Sequence, residues 1–222
     1  MPPPEPSTVA EANRRLRVWN RKLHNYVGLY LLCFLWLFSI SGLLLNHPTW
    51  EFAQFWQSRE QSTSAHDIRL PPPGEDLARA RDLMAQLGVS GEIERIEARH
   101  GEAGPGLAVR VVKPGRITDV TADFDAGRAT VERIQTNLWG VVHWLHHFTG
   151  VRLDRPELER DWVLTRLWSL AMDALCAGLV CLVGSGLYMW YPQWRRSTAA
   201  WLSLAAGAAG CGFFLFGLGW LY

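Results

Sequence analysis

The chain has seven histidines, and four of them stand where a ligand set can form. Three fall in the stretch Thr136-Asn-Leu-Trp-Gly-Val-Val-His-Trp-Leu-His-His-Phe-Thr-Gly150. At about 100° per residue, His143, His146 and His147 share roughly a third of a helix circumference. Trp139 joins that stripe and Gly140 lies beside it, while Val142, Trp144, Leu145 and Phe148 cover the other faces. The pattern predicts a short amphipathic helix over 136–150 lying at a membrane interface. The fourth, His47, directly follows a long apolar run. His24 opens that run, and His66 and His100 lie in polar stretches that read as solvent-exposed.

Three chemistries suit the cluster. Neutral imidazole is a good axial ligand, and two histidines on different segments can sandwich one haem. His47 opposite His143 or His147 suits that role, with Gly140 making room for the macrocycle and tryptophans covering it. A non-haem metal is the second reading, because HxxHH supplies two or three nitrogens on one face. No cysteine and no evident carboxylate completes a tetrahedral set. In the third reading the imidazoles only hydrogen-bond at an interface beside tryptophan. His24 is a separate case, since helical rise puts it ~35 Å from His47, at the opposite membrane face. An inner haem there needs Met189, a second copy of His24 or a partner protein.

Apolar spans must position these residues. Residues 26–46 carry no charge, and Arg14, Arg15, Arg17, Arg21 and Lys22 precede them. About twenty apolar residues cross a hydrocarbon core of roughly 30 Å. Lysine and arginine stay on the cytoplasmic side, so the N-terminus is expected inside. Residues 174–191 and 198–222 are also uncharged, and the short Pro192-Gln-Trp-Arg195-Arg196 link between them reads as a cytoplasmic hairpin. The resulting organisation is a basic, disordered cytoplasmic segment over 1–22, a span over 23–46 and a periplasmic α+β domain over 47–135. The histidine-bearing helix over 136–150 follows, then spans over 162–191 and 198–222, with the C-terminus outside. Trp19, Tyr26, Trp190, Tyr191, Trp194 and Trp201 mark one interface, and Trp50, Trp162, Trp168, Trp220 and Tyr222 the other. The first apolar run is too long for a secretory signal and lacks a small-x-small cleavage site, so it reads as an uncleaved anchor in a bacterial inner membrane.

Between the first two spans, residues 47–74 read as irregular and end in Pro71-Pro72-Pro73-Gly74. Leu77, Ala80, Met84 and Leu87 give a helical period closed by Gly88. Runs over 92–99, 107–112, 117–124 and 130–134 alternate like strands, so a helix should cover one face of an antiparallel meander. Asp123 and Asp125 read as a solvated turn more readily than as a catalytic pair. Asp125-Ala-Gly-Arg-Ala-Thr130 only loosely matches motifs that attach flavin to threonine, and a β-turn explains it better. Asp173 and Arg166 share a face of the second span, and Asp173 is a candidate partner for an imidazole N–H, or else a solvated interfacial charge.

The four cysteines, Cys33, Cys176, Cys181 and Cys211, all fall inside spans, which excludes a disulfide framework. A net charge of +1 gives no reason to expect nucleic acid, and no GxGxxG follows a strand. Ser203, Gly207 and Cys211 form a small-residue face on the third span, suited to homo- or hetero-oligomeric contact.

Four motifs occur in order: Lys22-Leu-His24-Asn-Tyr-Val-Gly28, Asp123-Phe-Asp125-Ala-Gly127-Arg-Ala-Thr-Val131, the histidine-rich stretch, and Ser185-Gly186-Leu-Tyr-Met189-Trp190. In that order they resemble the PepSY-associated transmembrane-helix family, with the likeness covering most of 20–196. The resemblance implies a b-type haem protein of ferric-siderophore reduction or transmembrane electron transfer; haem b is then the expected cofactor, and by their placement His47, His143, His146 and His147 are the candidate ligands at the outer face and His24 at the inner face. Larger members have four or more spans, where this chain has three. The alternative reading is a non-enzymatic accessory or scaffold subunit of a membrane complex, with a membrane or periplasmic protein as partner.

Overall fold

A computed structural model describes residues 8–101, 104–148 and 162–217. The chain divides into two compact units, Met1–Cys33 with Leu175–Tyr222, and Phe34–Ala174. Among the described residues, three helices are long and apolar enough to cross a membrane. They are α1 (Thr8–Asn46), α4 (Val163–Trp194), and α5 (Thr198–Gly212) prolonged by a π-helical turn over Phe213–Gly217.

In the first unit α1 and α4 pack antiparallel. Gly28 faces Leu182, and Leu31, fully buried, lies on Gly178. A Cβ on Gly178 would stand 2.8 Å from Leu31 Cδ1, so the absent side chain is what admits this approach. Two expectations are corrected here. Residues 1–22 were expected to be disordered, but α1 already begins at Thr8. No proline lies between Pro6 and the end of the first apolar run, and an Arg15–Glu11 pair at 2.9 Å supports the added turns. The Pro192–Arg196 link is also mostly helix. Proline near a helix end costs only one backbone bond, and α4 continues through it to Trp194. Ser197 then caps α5 through Ala200 N, and Trp201 Nε1 donates to Arg195 O at 2.9 Å.

The second unit holds a five-stranded antiparallel sheet in the order β1-β5-β4-β3-β2. The strands are β1 (Glu60–Asp67), β2 (Glu92–Gly101), β3 (Gly104–Lys113), β4 (Arg116–Asp123) and β5 (Arg128–Gln135). Helix α2 (Asp76–Gln86) covers one face. Its Ala80 and Leu83 are buried against Ile93, Ile96, Leu107, Val109, Val111, Val120 and Val131. Those strand positions face one way because side chains alternate across a strand, and an irregularity between Ile93 and Arg95 brings Ile96 back to the face of Ile93. Gly88 at φ 63° ends the helix, and Gly127 at φ 61° turns β4 into β5, backbone values that glycine adopts freely. Asp123 Oδ1 accepts from Asp125 N and Ala126 N in the same turn.

The strand β1 corrects the reading of 47–74 as irregular. Its sequence, EQSTSAHD, has no apolar alternation, and nearly every residue is exposed. Backbone pairing with β5, from Glu60↔Gln135 to Asp67↔Arg128, holds it as an edge strand.

Candidate functional site

Helix α3 (Leu138–His147) carries three of the histidines. Asn137 starts it, its side chain accepting from Trp139 N and Gly140 N. The helix is seated on the sheet through Gly115, whose carbonyl accepts from Thr136 N at 2.9 Å. Gly115 has φ 79°, and a Cβ there would press on Val141. Gly140 does not make room for a macrocycle, as expected from the sequence. It is buried, and the space beside it belongs to Thr136 and Phe55.

The histidines of this unit have different surroundings. His146 Nδ1 lies 2.6 Å from Ser41 Oγ on α1. Ser41 Oγ also lies 3.1 Å from Phe38 O; with its one proton directed there, it accepts from the His146 Nδ1–H. That tautomer leaves the Nε2 lone pair available to a metal. The ring also lies over Gly42, where a Cβ would come within 3.4 Å of Cε1, and packs on Phe38 with centroids 5.2 Å apart. His143 packs on Phe55 at 4.8 Å and edge-on to His147 at 5.2 Å. Burial, and then the neighbouring His147 and His146, push the His143 pKa below its ordinary value, so the ring favours the neutral form. It opens onto a cleft of about 410 Å³ lined by Leu44, Phe55, Trp56 and Trp139. His47 is exposed, its ring stacked on Trp50 at 4.4 Å and 3°. His66 is exposed and bonds Ser64, and His100 lies on β2.

The first unit contains a matching arrangement. His24 Nδ1 lies 2.8 Å from Ser185 Oγ, and Ser185 Oγ donates to Leu182 O at 3.0 Å. The same logic places the proton on Nδ1 and leaves Nε2 open. The ring again lies over a glycine, Gly186, at 3.7 Å from a would-be Cβ. Asn20 Nδ2 donates to Ser185 O at 3.1 Å and fastens this turn of α4. Met189 follows Ser185 by four residues, on the stripe of α4 that faces α1.

Both serines were missed in the sequence, where a serine in a span reads as a small packing residue. The signal was a repeated Ser-Gly-Leu, at 41–43 on α1 and at 185–187 on α4. Among the described residues no three or more His, Cys, Asp or Glu side chains gather closely enough for a metal ion, which tells against a non-haem site built from HxxHH alone. Asp173 is exposed and bonds to no described residue, and the cysteines are all free.

The profile of a family described as PepSY-associated TM region matches residues 7–192. No curated protein matches the chain, and no solved structure does.

Proposed function

The chain belongs to the PepSY-associated transmembrane family, and from that premise we propose that it is an inner-membrane b-type haem protein passing electrons toward the periplasmic side. Reduction of ferric siderophores is the process it serves. The observation that carries the reading is the pair of serine-held imidazoles. His146 and His24 each set Nδ1 against a serine hydroxyl that also reaches a main-chain carbonyl, an arrangement that suits the Nδ1–H tautomer with Nε2 free, as a haem ligand requires. An apolar aromatic cleft faced by the neutral ring of His143 adds a low-dielectric surface of ligand size.

The donors at the outer site are His146, His143, His147 and His47. His24 serves a second site, with Met189 or another subunit's imidazole as the other ligand. Haem bound there supplies one-electron chemistry. Ser41 and Ser185 orient their rings and raise the basicity of Nε2. Phe38, Phe55 and Trp139 exclude water. The basic N-terminal segment faces the cytoplasm and the sheet domain the periplasm.

The test is a visible spectrum of the purified protein, oxidised and dithionite-reduced. A sharp α band that is lost in His146→Ala and kept in His66→Ala supports the reading. No Soret absorption after expression with ample haem overturns it. A second reading, an accessory subunit, rests on α5, which has no buried residue and exposes Ser203, Gly207 and Cys211.

A further inference from the structure

One end of the sheet carries a second cleft, unrelated to the histidines in chemistry. The α2-facing side of the sheet extends past the end of that helix. Cross-strand partners there are Lys113↔Arg116, Arg116↔Gln135, Thr118↔Arg133 and Ser62↔Arg133. These positions alternate in phase with Val109, Val120 and Val131, but α2 stops at Gln86 and leaves them uncovered. The result is a cleft of about 450 Å³ in which Lys113, Arg116 and Arg133 converge, with the hydroxyls of Ser62, Ser90 and Thr118 around them.

Like charges directly across a strand pair destabilise a sheet. Elsewhere on this domain arginines meet carboxylates: Arg110 with Asp119 at 2.6 Å, Arg79 with Asp76 at 3.6 Å, Arg95 with Glu97 at 3.2 Å, and Arg128 with Asp67 at 3.4 Å. In the cleft the pattern breaks. Arg116 bonds only the neutral amide of Gln135, and Lys113 only reaches Ser90 Oγ at 3.5 Å. Arg133 bonds no described residue, and Glu60, on the cleft's rim, forms no ion pair with any of the three. Burial first, then Arg116 and Arg133, lower the Lys113 pKa, as expected for cations held together without a counter-charge.

We infer that this cleft is a binding site for a small ligand carrying two or more oxyanion groups, carboxylate or phosphate. Two guanidinium forks suit planar, bidentate recognition of such groups, the ammonium adds a point charge, and the hydroxyls complete the donor set. The β3–β4 turn that bears Lys113 and Arg116 is the one seated on α3 through Gly115, so the ligand is held at the end of the domain that carries the histidine helix. This inference stands on the cleft alone and does not depend on haem.

Calorimetric titration of the full-length protein tests it, with citrate in neutral detergent and with nanodiscs containing cardiolipin, whose headgroup carries two phosphates, as the headgroup arm. Citrate binding weakened at least tenfold in Arg133→Gln, and unchanged in Arg128→Gln, supports a free oxyanion ligand. Preference for anionic nanodiscs that Arg133→Gln abolishes supports the same site filled by a headgroup. Equal binding of both probes by parent and Arg133→Gln overturns the inference. Thermal unfolding monitored in parallel should show Arg133→Gln no less stable than the parent without ligand, since it relieves repulsion.

Discussion

His146 Nδ1 and Ser41 Oγ lie 2.6 Å apart, and the Phe38 carbonyl stands 3.1 Å from the same hydroxyl. With the serine proton on that carbonyl, Nδ1 donates and Nε2 is free. Ser41→Ala should keep the fold but weaken haem retention about 10–100-fold, the usual cost of losing an outer-shell partner. Ser41→Thr, which retains a hydroxyl, should restore it. The reduced spectrum and the midpoint potential check this, and a Ser41→Ala potential equal to the parent's would show that the serine only packs.

Orientation is testable without any cofactor. The proposed topology puts the arginine-rich flank before the first span and the Arg195-Arg196 turn after Trp194 on the cytoplasmic side, as the positive-inside rule expects. A cysteine placed at Ser90 should be labelled from outside by a membrane-impermeant maleimide, and one placed at Ser197 spared. The opposite pattern would put the sheet domain and α3 in the cytoplasm.

The sheet domain depends on its apolar layer alone, since all four cysteines are free. Val109 is 2% exposed between α2 and the sheet. Val109→Asp should cost about 3–5 kcal/mol, because a buried charge there has no partner. Protease resistance equal to the parent's would contradict the register.

Acidification should loosen α3. The folded-state pKa of His143 lies below its ordinary value of 6.5, so folding favours the neutral ring. Above that ordinary value both states are neutral and pH has no effect. As pH falls through it the unfolded state takes up a proton that the folded state refuses, and stability drops until the folded pKa is passed. Hydrogen exchange of α3 amides at pH 8 and pH 5 should reveal this, and His143→Gln should flatten the difference.

The parts of this architecture that were legible in the sequence bury apolar residues on one side. Helix α2 announced itself through Ala80, and strands β2 to β5 through Ile93, Ile96, Val109, Val111, Val120 and Val131, all of which are buried. Strand β1 carried no such signal, because an exposed polar edge strand is specified by its partner's backbone more than by its own side chains. The histidine helix was legible from spacing. What each imidazole touches was not, since Ser41 and His146 are separated by 105 positions and meet only through tertiary packing. For the same reason the sequence offered His24 only Met189 within its own chain, and not the hydrogen-bond partner that Ser185 supplies.

The glycine at 178 also constrains biogenesis. Leu31 reaches its resting place only against Gly178, yet the ribosome makes about 130 residues between the end of α1 and that glycine, on the order of ten seconds of synthesis. During that interval the first anchor stands in the bilayer without its mate, while the sheet and α2 have all the residues they need to fold. Insertion and domain folding are therefore earlier events, and the α1–α4 pairing is the closing step, when His24 first meets the hydroxyl of Ser185.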